Sequence, residues 1–254
     1  MNLKKAEKEF EIFAKQYDLN FSKMKRKYGH SYRVMQNAGK IAESLNLNKD
    51  EIELSKLIGL LHDIGHFETI KIKDILKEKT KIDHGDLGAE ILQNNSYIRK
   101  FIQEDKYDSI ILKAIKNHNK FKIEDGLSKQ EMLFSKIIRD ADKLDIYYEG
   151  KEMFWTKKEQ IEEINNDVIT NDIIDFFGKH ILWDRNINKT KLDGVIHVLA
   201  FMFGINFKYD FEVIKKEDYI NKILNKFNFK NEVTKKQIEQ IRNIANEYIE
   251  KQLI

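Results

Sequence analysis

Apolar residues recur every three or four positions along most of the chain, which is the spacing of one face of an α-helix. The pattern predicts a helix from about Ser22 to Leu45, and a second helix that opens with a capping box at Asn48 and ends at Gly65. Other helices are predicted at 86–93, 107–117 and 128–149, a loop at 119–126, and a last helix from a capping box at Thr234. Strand patterns are scarce and proline is absent, so the predicted fold class is all-α.

The helix that opens at Asn48 is apolar on most sides, which is typical of a buried helix. Its predicted last turn, within the sequence LLHDIGH at 60–66, carries His62 and Asp63. Polar groups at the end of a core helix need partners, because burying them alone costs free energy. We therefore expect other polar side chains to converge on this point.

Composition narrows the classes of protein and of site. The 254 residues, 41% of them hydrophobic, are enough for a substantial core, and the absence of cysteine excludes disulfides and thiolate ligands. A net charge of +3 and no cluster of Lys and Arg with interleaved aromatics argue against nucleic-acid binding. No apolar run is long enough to span a membrane and the charged N-terminus lacks a signal peptide, so we expect a cytoplasmic protein.

Histidines and aspartates lie near the ends of several predicted helices. Four histidines have this position, and three aspartates interrupt an apolar helix; the residues are His30, His62, His84, His118, Asp140, Asp142 and Asp145. A divalent cation would balance buried carboxylates, and imidazole with carboxylate suits Mn, Fe, Co, Ni or Zn better than Ca. Taken singly, each of these residues is explained equally well as a helix cap or a solvated side chain.

Taken together, three stretches resemble the HD-domain superfamily of metal-dependent phosphohydrolases. They are GHSYRV at 29–34, LLHDIGH at 60–66 and IRDADKLD at 138–145, and the resemblance covers about residues 25 to 150. It implies an HD-domain-like helical bundle at 1–150 that binds metal, with a C-terminal helical extension at 151–254 packed on this core. Nothing in the second half resembles a known family.

The resemblance also implies roles for individual residues. One metal ion is expected to be held by His30, His62, Asp63 and Asp142. Asp142 is preferred to Asp140 because the family's ligand precedes a basic residue, although the role of Asp140 stays open. That basic residue, Lys143, and Arg33, one helical turn after His30, are the expected substrate-binding residues. Asp63 and His66 are the expected catalytic residues, with His66 either relaying a proton or orienting a ligand.

A second ion would use His84 and His118. The stretch HGDLGAEIL at 84–92 is similar to the segment that supplies an extra histidine in two-metal members, and Asp63 would then bridge both ions. The superfamily's cyclic-dinucleotide phosphodiesterases carry a Gly-Tyr-Pro element after paired histidines, whereas here Asn119 follows His118 and the chain has no proline. The resemblance therefore leaves one or two ions open and argues against that substrate class.

The function expected from these features is hydrolysis of a phosphoester in a nucleotide or related small phosphorylated substrate by metal-bound water. The metal is one or two divalent ions of Mn, Fe, Ni, Co, Zn or Mg. Two alternatives stay open, namely a regulatory module that binds metal or nucleotide without turnover, and a di-iron oxygenase on the same fold. No membrane or nucleic-acid partner is expected, and the aromatic-rich second half leaves a homodimer open.

Overall fold

The computed structural model describes residues 1–76 and 82–254, except for the side chains of 73–76. In these ranges no strand occurs and nearly all regular structure is α-helical, which confirms the all-α prediction. The α-helices are α1 Leu3–Ala14, α2 Ser22–Ser44, α3 Lys49–Leu61, α4 Ile64–Leu76, α5 His84–Gln93, α6 Asp108–Asn117, α7 Lys129–Glu152, α8 Lys158–Asn166, α9 Asn171–Gly178, α10 Lys191–Ala200, α11 Lys208–Lys216, α12 Tyr219–Leu224 and α13 Glu232–Leu253. Short 3-10 helices lie at Asn94–Lys100, Arg185–Ile187 and Phe201–Gly204.

The chain forms two compact units, Met1–Asp142 and Lys143–Ile254. Their boundary lies inside α7, so this one helix contributes residues to both units. The expected division into a metal-binding core at 1–150 and an extension packed on it stays a prediction.

Aromatic side chains build much of the core of the first unit. Phe10 and Phe13 of α1 and Tyr17, just beyond it, surround Phe67 of α4, with ring centroids 5.9, 5.8 and 5.5 Å away. Phe10 and Phe67 are fully buried. Replacing a buried Phe by Ala typically lowers the free energy of unfolding by ~3–5 kcal/mol. This cluster therefore holds α1 against the start of α4.

The predicted helix from Asn48 to Gly65 is two helices. Its start is confirmed, because Asn48 and Glu51 form a complete capping box at 3.0 Å in both directions. Its end is wrong. The helix stops at Leu61, a two-residue turn holds His62 and Asp63, and α4 starts at Ile64.

Gly65 has a different role from the predicted helix end. It lies in the first turn of α4, where an added Cβ would meet the His84 carbonyl oxygen at 2.3 Å and the Gly88 backbone nitrogen at 2.5 Å. The backbone of α5 therefore packs directly against α4 at this point, and only a residue without a side chain allows it.

In the second unit, Tyr147 is fully buried, donates its hydroxyl to Leu199 O at 2.7 Å and stacks on Tyr219. Lys226 Nζ donates to carbonyl oxygens at the end of α7, including Gly150 O at 3.1 Å. The last helix begins at Glu232 with Asn231 as its cap, so the predicted cap at Thr234 is wrong by three residues. The Asn231 side chain accepts from the backbone N–H of Val233, which is the interaction that fixes the earlier start.

Among the helices within residues 1–76 and 82–254, none combines the length and the apolar character that crossing a bilayer requires.

We predict that Gly65→Ala lowers the free energy of unfolding by about 2 kcal/mol, because its methyl group would overlap backbone atoms of α5 that cannot rotate away. Gly194→Ala in α10 is the control, since an added Cβ there meets nothing within 4 Å and alanine favours helix by about 0.5–1 kcal/mol. Chemical denaturation followed by circular dichroism measures both. Equal stability of Gly65→Ala and the wild type would contradict the assigned approach of α5 to α4.

Candidate metal centre

Four polypeptide segments meet at the turn between α3 and α4. Asp63 in this turn is 1% exposed and His62 is fully buried. Adjacent residues in a helix point about 100° apart. At the end of α3 the two side chains nevertheless reach one region, with His62 Nε2 3.5 Å from Asp63 Oδ2. The other segments are α2, the stretch from α5 to the end of α6, and α7.

The first group of ligand atoms, here called subsite 1, surrounds one oxygen of Asp63. His30 Nε2 lies 3.3 Å from Asp63 Oδ2, 3.2 Å from His62 Nε2 and 3.2 Å from Asp142 Oδ1. His62 Nε2 is 3.5 Å from Asp63 Oδ2 and 3.9 Å from Asp142 Oδ1. Two imidazoles and two carboxylates thus converge from α2, the α3–α4 turn and α7.

Subsite 2 surrounds the other oxygen of Asp63. His84 Nε2 lies 3.4 Å from Asp63 Oδ1, and His118 Nε2 lies 3.6 Å from it. The two imidazole nitrogens are 3.1 Å apart. Asp63 therefore presents one oxygen to each subsite.

Backbone carbonyls set the orientation of two of the four imidazoles. His62 Nδ1 is 2.8 Å from Gly59 O, and His118 Nδ1 is 2.6 Å from Ile115 O. A carbonyl oxygen only accepts, so each Nδ1 carries the proton and each Nε2 presents a lone pair to its subsite. This arrangement is typical of metal-binding histidines.

The donor set fits divalent ions. Two ligand nitrogens about 2.1 Å from one ion and about 90–100° apart are themselves about 3.0–3.2 Å apart, which matches the Nε2 separations of 3.2 and 3.1 Å in the two subsites. In subsite 1, three acceptor groups lie around His30 Nε2, and a single N–H could be directed at only one of them. His30, His62 and Asp63 can hold one ion, and Asp63, His84 and His118 a second.

The surroundings lower the pKa values of both carboxyl groups and of the imidazoles of His62 and His84. Burial alone would raise the pKa of Asp63, but the Lys27 ammonium, 2.6 Å from Oδ2, holds this pKa well below its usual value. Burial also raises the pKa of Asp142, but the contact with His30 outweighs it, so the pKa is lowered. Burial lowers the pKa of His62, and it lowers that of His84 to about 4. Ionised carboxylates and neutral imidazoles are the forms that bind metal.

Subsite 2 is built by a polar network at the start of α5. Asp83 caps this helix by accepting from Gly85 N at 2.8 Å, so His84 becomes its first residue, two positions before the predicted start. Asn119 donates to Asp83 Oδ1 at 2.9 Å and Lys120 pairs with Asp83 Oδ2 at 2.8 Å. The residue before His84 is thereby tied to the residues after His118.

Arg139 of α7 holds the backbone that follows α6. Its guanidinium donates to the carbonyl oxygens of Asn117 at 2.8 Å, Lys120 and Phe121. A rigid guanidinium with several donors can bind several carbonyl groups at a helix end at once. Arg139 therefore fixes the chain on both sides of the turn that carries His118.

The remaining predicted site residues have different surroundings. His66 lies in α4, where Nδ1 is 2.9 Å from Thr69 Oγ1 and the ring stacks on His84 at 4.5 Å. Arg33 is half-buried on α2, and Lys143 lies in the other unit, where its Nζ donates to Gly204 O at 2.6 Å. Asp140 is fully buried, whereas the Asp142 side chain is 20% exposed. The roles of these residues stay predictions.

Sequence reasoning missed Lys27. Its Nζ reaches Asp63 Oδ2 at 2.6 Å from α2, three residues before His30. Side chains three residues apart share a helix face, so a lysine at this spacing before a predicted ligand was the available signal. It was hidden by the surrounding basic stretch KMKRK at 23–27, which is typical of a solvated helix start.

We predict that Arg139→Met lowers the free energy of unfolding by about 2 kcal/mol, because the carbonyl groups of Asn117, Lys120 and Phe121 lose a charged donor. Amide hydrogen exchange at residues 118–121 should accelerate at the same time. Lys136→Met, which removes a basic side chain one turn earlier on α7, is the control in both measurements. Unchanged exchange in Arg139→Met would contradict the role of Arg139 in holding this segment.

Comparison with known proteins agrees with this geometry. The family model described as HD domain matches residues 28–147, a segment that contains both subsites. No curated protein and no solved structure matches the chain. HD-domain proteins bind divalent metals, and the His and Asp clusters fit such binding. Residues 28–147 therefore match the HD domain, a family that consists mostly of metal-dependent phosphohydrolases.

Proposed function

We propose that this protein hydrolyses a phosphoester of a nucleotide or related small phosphorylated substrate, and that its activity depends on divalent metal. The observation that carries the proposal is the position of Asp63, whose two oxygens face separate imidazole pairs at 3.3–3.6 Å. The match of residues 28–147 to the HD domain supports it, because that family consists mostly of metal-dependent phosphohydrolases.

The ligands of the proposed centre are His30, His62, Asp63 and Asp142 for one ion, and Asp63, His84 and His118 for a second. Imidazole with carboxylate favours Mn, Fe, Co, Ni or Zn, and Mg is included because it accompanies many phosphate substrates. Bound at these residues, divalent ions would lower the pKa of water and offset negative charge on phosphoryl oxygens.

The chain itself contributes ligand orientation and a proton carrier. In the hydrolysis, a water oxygen bonds to phosphorus, the bond from phosphorus to the leaving oxygen breaks, and a proton passes from the water to the leaving group. His66 is the proposed carrier. The Thr69 hydroxyl donates to His66 O at 3.0 Å and so accepts from His66 Nδ1–H, which leaves Nε2 as the atom that exchanges the proton.

Arg33 and Lys143 are retained as proposed contacts of the substrate phosphate. Lys143 would have to exchange its bond to Gly204 O for such a contact. A cytoplasmic location, the absence of a nucleic-acid partner and a homodimer in solution are further parts of the proposal.

A di-iron oxygenase on the same fold is the second candidate. It is favoured by the donor set of each subsite, since two imidazoles with a carboxylate are typical of non-haem iron oxygenases. Oxygen consumption by the iron-loaded protein distinguishes it from a hydrolase. A regulatory module without turnover would bind metal but neither hydrolyse phosphoesters nor consume oxygen.

We predict two metal ions per chain in the purified protein loaded with Mn²⁺ and desalted, measured by elemental analysis. The double variant His84→Ala/His118→Ala should keep about one ion, because the ligands of subsite 1 are intact, and Asp63→Ala should lose most of both. His180→Ala, an exposed histidine of the second unit, is the matched control. Equal metal content in Asp63→Ala and the wild type would exclude Asp63 as the shared ligand.

We also predict that a chelator abolishes phosphoester hydrolysis and that Mn²⁺ or Co²⁺ restores it. Asp63→Ala should lower kcat/KM by about a hundredfold or more, since metal ions contribute several kcal/mol at the transition state and ~1.4 kcal/mol is tenfold. A panel of nucleotides and sugar phosphates identifies the substrate. If Asp63→Ala and the wild type hydrolyse the panel at the same rate, the proposed catalytic centre is wrong.

A further inference from the structure

Lys27 places a positive charge directly against the carboxylate that both subsites share. Its Nζ lies 2.6 Å from Asp63 Oδ2, the oxygen that faces His30 and His62 in subsite 1. The Lys27 side chain is 16% exposed, whereas that of Asp63 is 2% exposed. Lys27 is therefore partly accessible to a ligand from solvent, whereas Asp63 is not.

An ammonium at this position weakens the binding of a cation to subsite 1. It cannot act as a ligand while charged, and it repels any ion that shares its carboxylate, most strongly where water is partly excluded. Asp63 has imidazole partners on both oxygens, so it does not depend on Lys27 alone for polar contacts. The repulsion would be offset if a negative group bound to the ion and to Lys27 together.

The charge of the centre indicates what that group is. Two divalent ions would carry more positive charge than their ligands Asp63 and Asp142 carry negative charge, and Lys27 adds a further positive charge 2.6 Å from Asp63 Oδ2. Such an excess stabilises a dianion more than a monoanion. Phosphomonoesters are dianions near neutral pH, whereas phosphodiesters are monoanions.

Resting on the proposed function, we infer that Lys27 is a substrate-binding residue that holds a phosphoryl oxygen beside subsite 1 and favours phosphomonoesters over phosphodiesters. It is on the same helix as His30, one turn earlier, so α2 supplies both a ligand and the phosphate contact. Charge-assisted hydrogen bonds of this kind recur where proteins bind phosphate.

The test compares the wild type with Lys27→Met, Lys27→Arg and the control Lys25→Met, an exposed lysine two residues earlier on α2. Each protein is saturated with Mn²⁺, its metal content is measured, and binding of inorganic phosphate is followed by calorimetry. Lys27→Met should keep its metal and bind phosphate about 10- to 100-fold more weakly, the loss expected for one charge-assisted hydrogen bond. Lys27→Arg should recover most of the affinity, and Lys25→Met should match the wild type.

Activity supplies an independent readout. The ratio of kcat/KM for p-nitrophenyl phosphate to that for bis-p-nitrophenyl phosphate should be above one in the wild type and should fall about tenfold in Lys27→Met, because a dianion loses more from removal of a positive charge.

Phosphate affinity and substrate ratio that are unchanged in Lys27→Met would overturn the inference and leave the proposed hydrolase intact. Loss of Mn²⁺ from Lys27→Met would also overturn it, since Lys27 would then only position Asp63. A metal-loaded wild type that binds no phosphate would overturn the inference, whereas the proposed hydrolase is decided separately by hydrolysis of the substrate panel.

Discussion

A buried carboxylate shared by two sets of imidazoles is the interaction on which the candidate centre depends. Asp63 is almost completely buried, and an isolated charge at such a position would be expensive. The Lys27 ammonium at 2.6 Å offsets this charge, and a divalent cation between Asp63 and the four surrounding imidazoles would offset it further. The side chains that compensate Asp63 come from α2, from the α3–α4 turn and from the segment between α5 and the end of α6, so helix packing and site geometry are set together.

The packing that brings these segments together relies on close backbone approach. Gly65 lets α5 lie against α4. Asp83 caps α5, so the helix begins at His84. Arg139 fixes the other side of subsite 2 by binding carbonyl groups after α6. None of these three residues points a ligand atom at either subsite. They nevertheless determine where His84 and His118 lie.

Much of the fold could be predicted from periodicity and capping chemistry. The bounds of α2 and the start of α3 were predicted within a residue, because apolar spacing and the Asn48 capping box are local signals. The break after Leu61 was not, since Gly65 reads as a helix end in sequence and its actual role depends on the distant backbone of α5. The start of α13 was misplaced because two overlapping cap signals, at Asn231 and Thr234, compete within three residues.

The candidate site was predictable as a set of residue types, and less so as a set of contacts. Histidines at helix ends near buried aspartates indicated the cluster, and the structure brings His30, His62, Asp63, His84, His118 and Asp142 together in it. The contact of Lys27 with Asp63 was missed because a lysine in a basic helix start has many solvated alternatives. Only tertiary packing selects among them.

The course of α7 has a consequence for dissecting this protein. Asp142 is the last residue of one compact unit and Lys143 the first of the other, yet both lie within a single uninterrupted helix. Truncation at the boundary would leave Asp142 at a helix terminus, where the final carbonyl groups lose their partners and the last turn frays. Isolating the histidine-bearing half in this way would therefore loosen the carboxylate that faces His30. The metal centre of the first unit thus depends on a helix that continues into the second.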